Sequence, residues 1–199
     1  SHLYLCIAGE LAAVICIYDL LRAEAKDAIR ALHACGISKV VMMTGDNRRT
    51  AASVAEEVGV DEFYAEVLPE DKAAFIRSEK AAGRTVIMIG DGVNDSPALS
   101  EADAGVAIST GAAIAREIAD ITIASEDLFE LVTLRKISEA LMGRIHRNYR
   151  FIVGFNLGLI VFGVAGLLPP TTSALLHNAS TLAISLKSMT NLLPDKKKI

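Results

Sequence analysis

Twice in this chain a short apolar run stops at a turn of glycine and aspartate, and a helix-patterned stretch follows. Residues 40–43 run into Thr44-Gly45-Asp46-Asn47 and then the helix pattern of residues 49–58; residues 85–89 run into Gly90-Asp91-Gly92, with Pro97 opening the next helix. The β-branched and Met content of each run marks a buried strand, and glycine permits the tight turn at its carboxyl end. Other segments fit the same cycle. Residues 3–7 and 11–18 read as strands around Gly9-Glu10, the second ending at Asp19. Residues 24–34 form a helix pattern with Ala28, Ile29 and Leu32 on one face and Gly36 as its stop. Strands at 63–65, 104–108 and 121–123 and helices at 69–82 and near 112–119 complete the series. Such alternation predicts an α/β fold, a mostly parallel sheet with helices on both faces.

Composition changes near Arg150. Before it, charges and apolar runs are mixed; from Phe151 to Leu193 the only ionisable groups are His177 and Lys187. A long helix at 127–149, capped by Ser125 or Asp127, carries Leu128, Leu131, Leu134, Ile137 and Leu141 down one side. It ends in the basic cluster Arg144, His146, Arg147 and Arg150. The apolar stretches 151–168 and 173–193 are each about long enough to cross a bilayer, with Pro169-Pro170-Thr171-Thr172 between them. Basic residues before the first and Lys196-Lys197-Lys198 after the second place both flanks in the cytoplasm and the Pro-Pro turn outside. A transmembrane helical hairpin is therefore expected after the α/β part, in a multi-pass protein of the cell membrane. No basic leader precedes the first strands, so no signal peptide is expected. The formal net charge of −4 gives no indication of a nucleic-acid partner. Cys6, Cys16 and Cys35 lie in no ligand spacing and read as reduced thiols.

The chemistry gathers at the strand ends. Asp91 and Asp95, four residues apart with Asn94 between them, are paired hard oxygen donors of the kind Mg²⁺ prefers, at the edge where α/β sheets bind ligands. The plainer alternative is that Asp91 closes a turn and Asp95 or Ser96 caps the next helix. Thr44 and Gly45 offer a hydroxyl and a free backbone N–H suited to phosphoryl oxygens, and Lys72, one turn into its helix, can bring positive charge to the same edge.

In that order, Met43-Thr44-Gly45-Asp46-Asn47, Pro69-Glu70-Asp71-Lys72 and Gly90-Asp91-Gly92-Val93-Asn94-Asp95-Ser96-Pro97-Ala98-Leu99 closely resemble the phosphorylation-domain motifs of P-type ATPases. The resemblance implies a haloacid dehalogenase-like Rossmannoid fold. It implies that Thr44, Gly45 and Asp46, with Lys72 and Asn94, serve an aspartyl phosphate, that Asp91 and Asp95 hold Mg²⁺, and that ATP is the substrate. Asp19, Arg22 and Glu24 resemble the family's Asp-Pro-x-Arg-x-Glu hinge, with Leu20 in place of proline. The phosphorylated aspartate of the family lies in Asp-Lys-Thr-Gly-Thr, a string absent from these 199 residues. The chain thus resembles a fragment whose partner is the missing amino-terminal part of the same pump, and which is expected to be inactive alone. Its expected parts are a partial phosphorylation domain at 1–126, facing the cytoplasm, a connecting helix at 127–150, two membrane helices at 151–194 and a basic tail at 195–199.

Two apolar stretches after the phosphorylation domain resemble the heavy-metal-transporting subfamily. Asn156 after Phe155 is similar to that subfamily's Tyr-Asn pair, and His177, with Ser180 and Thr181 on the same helix face, stands where its metal ligands lie. An imidazole within a membrane needs a partner or ligand; a helix-packing role for Ser180 or Thr181 is the alternative. Imidazole with oxygen donors, and no Cys or acid in either stretch, favours a divalent cargo such as Zn²⁺, Co²⁺ or Mn²⁺ over Cu⁺. The competing readings are a membrane-anchored phosphatase of the same fold, for which no Asp-x-Asp is present at a strand end, and a non-catalytic regulatory relative.

Overall fold

A computed structural model describes residues 2–7, 9–16, 21–90, 94–108, 117–123 and 127–193. The chain divides into two compact units, Ser1–Glu130 and Leu131–Ile199. The first unit opens with an antiparallel hairpin, β1 (His2–Ile7) and β2 (Glu10–Cys16). Gly9 turns it at a φ of +86°, a left-handed conformation that a residue with a Cβ adopts only with strain. There follow α1 (Ala25–Ala34), β3 (Val41–Met43), α2 (Arg48–Val58), β4 (Glu62–Tyr64), α3 (Pro69–Ala81), β5 (Ile87–Gly90), α4 (Ser96–Glu101), β6 (Ala104–Ile108) and β7 (Ile121–Ile123). β3 pairs with β4, and β5, β6 and β7 pair in that order, every pair parallel. The parallel α/β architecture expected from the sequence is present. The helix expected near 112–119 lies mostly outside the described residues, as does Asp19 of the expected hinge.

The core of this unit is built from small side chains. Ala28, Ala51, Ala73, Ala98 and Ala107 are buried with Ile76, Leu99 and Val106. Small residues let helices lie close on the strands. A Cβ added at Gly105 of β6 would come 2.7 Å from the Leu99 carbonyl of α4, so that strand position admits only glycine without a shift of backbone.

One device recurs in all three parallel pairs. The Val40 N–H, just before β3, donates to Asp61 Oδ2 at 2.6 Å; the Val86 N–H, before β5, donates to Asp103 Oδ2 at 2.8 Å; the Gly105 N–H of β6 donates to Asp120 Oδ2 at 2.8 Å. In each case an aspartate immediately preceding one strand satisfies a backbone donor near the start of its neighbour. The strands are pinned at their amino ends, which leaves their carboxyl ends to carry loops. Asp103 is further held by Lys80 Nζ at 3.2 Å, while that ammonium also donates to the Glu101 carbonyl at 2.8 Å. The Val86 N–H, and then Lys80, hold the Asp103 carboxyl below its usual range.

A carboxylate whose folded pKa is depressed adds stability that is fully present above its unfolded value, about 3.9, and is lost as pH falls through the folded value. Asp103→Asn should therefore melt below wild type at neutral pH, with the gap closing as pH drops below about 4. Thermal unfolding of both proteins followed by circular dichroism across that range tests this; a gap independent of pH would remove the role.

In the second unit, α5 (Phe129–Val164) begins at the boundary, where Asp127 Oδ1 accepts the Phe129 N–H at 2.8 Å. Of the two caps expected, Asp127 is the one among the described residues. Of the apolar stripe expected along this helix, Leu131 is buried, whereas Ile137 and Leu141 are exposed. α5 continues through the compositional break at Arg150, because a change from charged to apolar side chains does not interrupt backbone hydrogen bonding. It stops where Gly166 adopts a φ of +75° and the N–H groups of Gly166 and Leu167 return to the carbonyls of Gly163 and Phe162 at 3.0 and 2.9 Å. α6 (Pro170–Ser188) starts with Pro170 inside its first turn.

The helix bounds differ from the two stretches expected at 151–168 and 173–193. The apolar run leaves the helix at Val164, and α6 is diluted by its Thr, Ser, His and Asn side chains. No helix among the described residues is long and apolar enough to cross a membrane. The two helices are antiparallel. Arg144 donates to the carbonyls of Ser188, Thr190 and Asn191 at 2.8, 2.6 and 2.9 Å, and Asn148 Nδ2 donates to Ser188 Oγ at 2.9 Å. Arg144 thereby caps the carboxyl end of α6.

Candidate active site

Thr44 follows β3, and its loop is closed by short-range bonds. Its N–H donates to the Tyr64 carbonyl at 3.0 Å, its hydroxyl donates to Asp46 Oδ2 at 3.0 Å, and the same oxygen accepts the Asp46 N–H at 3.1 Å. Asn47 then caps α2, its side-chain oxygen accepting the Thr50 N–H at 3.0 Å. A Cβ at Gly45 would meet only the Val67 carbonyl oxygen, at 3.9 Å, so packing does not demand glycine there. The bare backbone leaves room for a group to approach the loop.

The chain returns to this loop before α3. Val67 N–H donates to the Thr44 carbonyl at 3.0 Å, and Glu66 N–H donates to the Asp46 carbonyl at 2.9 Å. Glu66 does so at a φ of +57°, the one non-glycine residue with positive φ among the described residues. Pro69 opens α3 and Asp71 Oδ2 accepts the Leu68 N–H at 3.2 Å, which fixes the first turn and with it the position of Lys72.

Lys72 Nζ donates to Asp95 Oδ1 at 2.7 Å, and the two side chains are only 15% and 13% exposed. This is the best-shielded ion pair of the unit among the described residues. It sits at the carboxyl end of β5, where Asp95 lies against Gly90: a Cβ on Gly90 would approach Asp95 Cβ to 2.8 Å and its Oδ2 more closely still. Asn94 is exposed beside it. Asp91 lies outside the described residues.

The structure thus joins Thr44 with Asp46 and Lys72 with Asp95. Sequence reasoning placed Lys72 and Asp95 at one edge but assigned them to separate tasks, and it missed that they pair across 23 positions. It also missed that Gly90 is required by the side chain it supports. Among the described residues no three His, Cys, Asp or Glu side chains converge on one point. The donor chemistry of Asp91, Asn94 and Asp95, all hard oxygens, nevertheless suits Mg²⁺.

Gly90→Ala should destabilise the unit by about 1–3 kcal/mol through overpacking and push Asp95 off Lys72. A melting temperature equal to wild type would show that the glycine is dispensable.

In the second unit, His177 Nδ1 and Asn156 Oδ1 are 2.8 Å apart, and with Nδ1–H donating, the lone pair of Nε2 is left for a ligand. Ser180 and Thr181 instead donate their hydroxyls to the His177 carbonyl at 2.8 and 3.0 Å. Of the four candidate cargo ligands the structure brings two together side by side. Asn156 and His177 open on a depression of about 680 Å³ walled by Leu159, Ile160, Gly163 and Ala174.

The sequence model of the haloacid dehalogenase-like hydrolases matches residues 2–103 of the chain. The chain belongs to that family. Among individual proteins, this haloacid dehalogenase-like chain is 46% identical over 88% of its length to copper-transporting ATPase 2 of Rhizobium meliloti, covering 21% of that protein. It is 40% identical over 92% of its length to the manganese-exporting P-type ATPase of Mycobacterium bovis, covering 26% of it. The crystal structure of a zinc-transporting PIB-type ATPase in its E2·Pi state matches with a TM-score of 0.83 and 32% identity, over 92% of this chain and 30% of that one. The resemblance to heavy-metal P-type ATPases drawn from the motifs therefore holds, and the chain spans only a fifth to a quarter of the length of these curated relatives.

Proposed function

We propose that this chain is a piece of an ATP-driven transition-metal pump, in which an aspartyl phosphate formed and hydrolysed at the strand ends of the first unit is coupled to metal movement through the second. The shielded Lys72 and Asp95 pair at the end of β5 is the observation that carries this reading. A lysine and a carboxylate held mostly out of water act strongly on a phosphoryl group placed beside them, because weak screening lengthens the reach of charge. In this reading Lys72 moves from Asp95 toward the phosphoryl oxygens, while the Thr44 hydroxyl and the open backbone at Gly45 orient them. Asp91 and Asp95, supported by Asn94, hold Mg²⁺, which supplies charge neutralisation to the phosphoryl group when bound. The reacting aspartate comes from a segment of the pump outside these residues, so the chain alone does not turn over ATP.

The second unit is read as the membrane part. Ile160, Val161, Phe162, Val164, Leu167, Leu175 and Leu182 are all exposed on it, and such a surface is stable in lipid or against other membrane helices. His177 Nε2 and Asn156 at the apolar depression then serve as one half of a cargo site. Nitrogen and oxygen donors favour a divalent ion, Zn²⁺, Co²⁺ or Mn²⁺; the names of the relatives divide among copper, manganese and zinc.

Phosphoenzyme measurement on the full-length protein tests the proposal. An acid-stable phosphoenzyme should form from ATP only when Mg²⁺ and a transition metal are both present. Phosphoenzyme formation indifferent to every transition metal would overturn the transport reading while leaving the phosphoryl chemistry intact.

A further inference from the structure

We propose that the exposed collar formed by Arg147, Arg150 and Lys187 on the helical hairpin binds the headgroups of anionic phospholipids. The proposal rests on the reading of the second unit as the membrane part, and deepens it by naming the lipid. The Asn148 to Ser188 hydrogen bond of 2.9 Å sets α5 and α6 in register, so Arg147 and Lys187, each adjacent to one of those residues, stand at the same level of the hairpin. Arg150 follows within one turn of α5. All three side chains are exposed, and none has an ion-pair or hydrogen-bond partner among the described residues.

Neighbouring basic side chains are already committed. Arg144 is engaged by three carbonyls of the α6 terminus, Arg135 pairs with Glu139 at 2.9 Å, and His146 Nδ1 is 2.8 Å from the Met142 carbonyl. From Ala140 to Leu193 the sequence contains no Asp or Glu, so no acid of that stretch neutralises the collar. Its own chemistry asks for an anion.

An apolar surface begins next to these cations. Phe151, Ile152 and Leu186 are exposed immediately beside them, and Tyr149, 65% exposed, presents an amphipathic ring at the same level. A soluble acidic protein or a free anion would satisfy the charges and leave that surface in water. An anionic phospholipid satisfies both, its phosphate on the collar and its chains along the apolar side chains.

The chain has no tryptophan, so single reporters can be installed. Tyr149→Trp places one at the collar and Leu167→Trp places one on the exposed turn between the helices. Each full chain is reconstituted into vesicles of phosphatidylcholine mixed with phosphatidylglycerol, with one or the other lipid brominated to quench fluorescence. The collar reporter should reveal an enrichment of phosphatidylglycerol of about fivefold or more, the scale of one surface cation. Sodium chloride should lower that enrichment, and Arg147→Gln, Arg150→Gln and Lys187→Gln together should abolish it. The turn reporter should be quenched equally by both lipids, in wild-type and triple-variant backgrounds alike, which verifies that the variant is folded and inserted.

Equal quenching of the collar reporter by both lipids, with the turn reporter still quenched, would overturn the lipid proposal alone. A turn reporter quenched by neither lipid would overturn the membrane reading and the lipid proposal with it. Loss of enrichment on adding inorganic phosphate, but not chloride at matched ionic strength, would assign the collar to a soluble anion instead.

Discussion

Lys72→Ala in the complete pump is expected to lower phosphoenzyme formation from ATP by about 10²–10³-fold, the scale for removing one preorganised electrostatic contact to a developing charge, with little change in nucleotide affinity. The ammonium lies 2.7 Å from Asp95 in surroundings that leave it 15% exposed, so its charge is poorly screened and its position is set by the first turn of α3. A group that acts mainly on the transferring phosphoryl changes the rate of transfer, whereas one that binds substrate and transition state equally changes affinity alone. The substitution also leaves the Asp95 carboxylate without its cation in a shielded place, and breaking such a pair destabilises by up to about 3–5 kcal/mol when fully buried.

The two effects separate in a double-mutant cycle. Lys72→Ala with Asp95→Asn should recover much of the lost stability, because the stranded charge is gone, and recover none of the activity. Rapid acid quench with labelled ATP reads the first quantity and thermal unfolding the second. Wild-type phosphorylation in Lys72→Ala would return the residue to a structural role.

His177→Ala in the complete pump should abolish metal-stimulated ATP hydrolysis while leaving phosphorylation by inorganic phosphate, which requires only the strand-end site. Removing the imidazole deletes the proposed nitrogen ligand at the apolar depression and leaves Asn156 Oδ1 without its 2.8 Å partner. Ser180 and Thr181 do not substitute, since a neutral hydroxyl is a weaker ligand than imidazole, and both hydroxyls donate to the His177 backbone carbonyl, which the variant retains. Their bonds persist in the variant, so the helix should stay intact and the loss should be specific to metal. Titration of both proteins with Zn²⁺, Co²⁺, Mn²⁺ and Cu⁺ provides the measurement. Unchanged stimulation would make His177 a packing residue, and stimulation of wild type by Cu⁺ alone would remove the divalent assignment.

Both predictions depend on contacts between side chains far apart in the sequence. Lys72 and Asp95 are 23 positions apart, and His177 and Asn156 are 21 apart. Helical or strand periodicity says which face a side chain takes, but not which distant side chain meets it. The pairing of His177 with Asn156 was within reach because both are polar groups in otherwise apolar stretches, and each lowers its own desolvation penalty by finding the other. The pairing of Lys72 with Asp95 carried no such signal, since a lysine on a polar helix face looks solvated in isolation.

What the sequence by itself determined was local. Apolar runs of β-branched residues and Met become strands because their side chains fit a pleated, buried surface, and Gly9, Asn47 and Pro69 mark turns and helix starts by the backbone geometry they permit. Thr44 and Asp95 could therefore be placed at the carboxyl ends of strands from order alone. Tertiary structure decided the rest. The aspartates at positions 61, 103 and 120 become strand clasps only once their parallel neighbours lie beside them, at 2.6 to 2.8 Å from the amides they satisfy. Gly90 is obligatory only because Asp95 folds back over it. The end of α5 at Val164 follows from the left-handed turn at Gly166 rather than from the end of the apolar run, because capping hydrogen bonds, unlike hydropathy, require a particular backbone conformation at a particular residue.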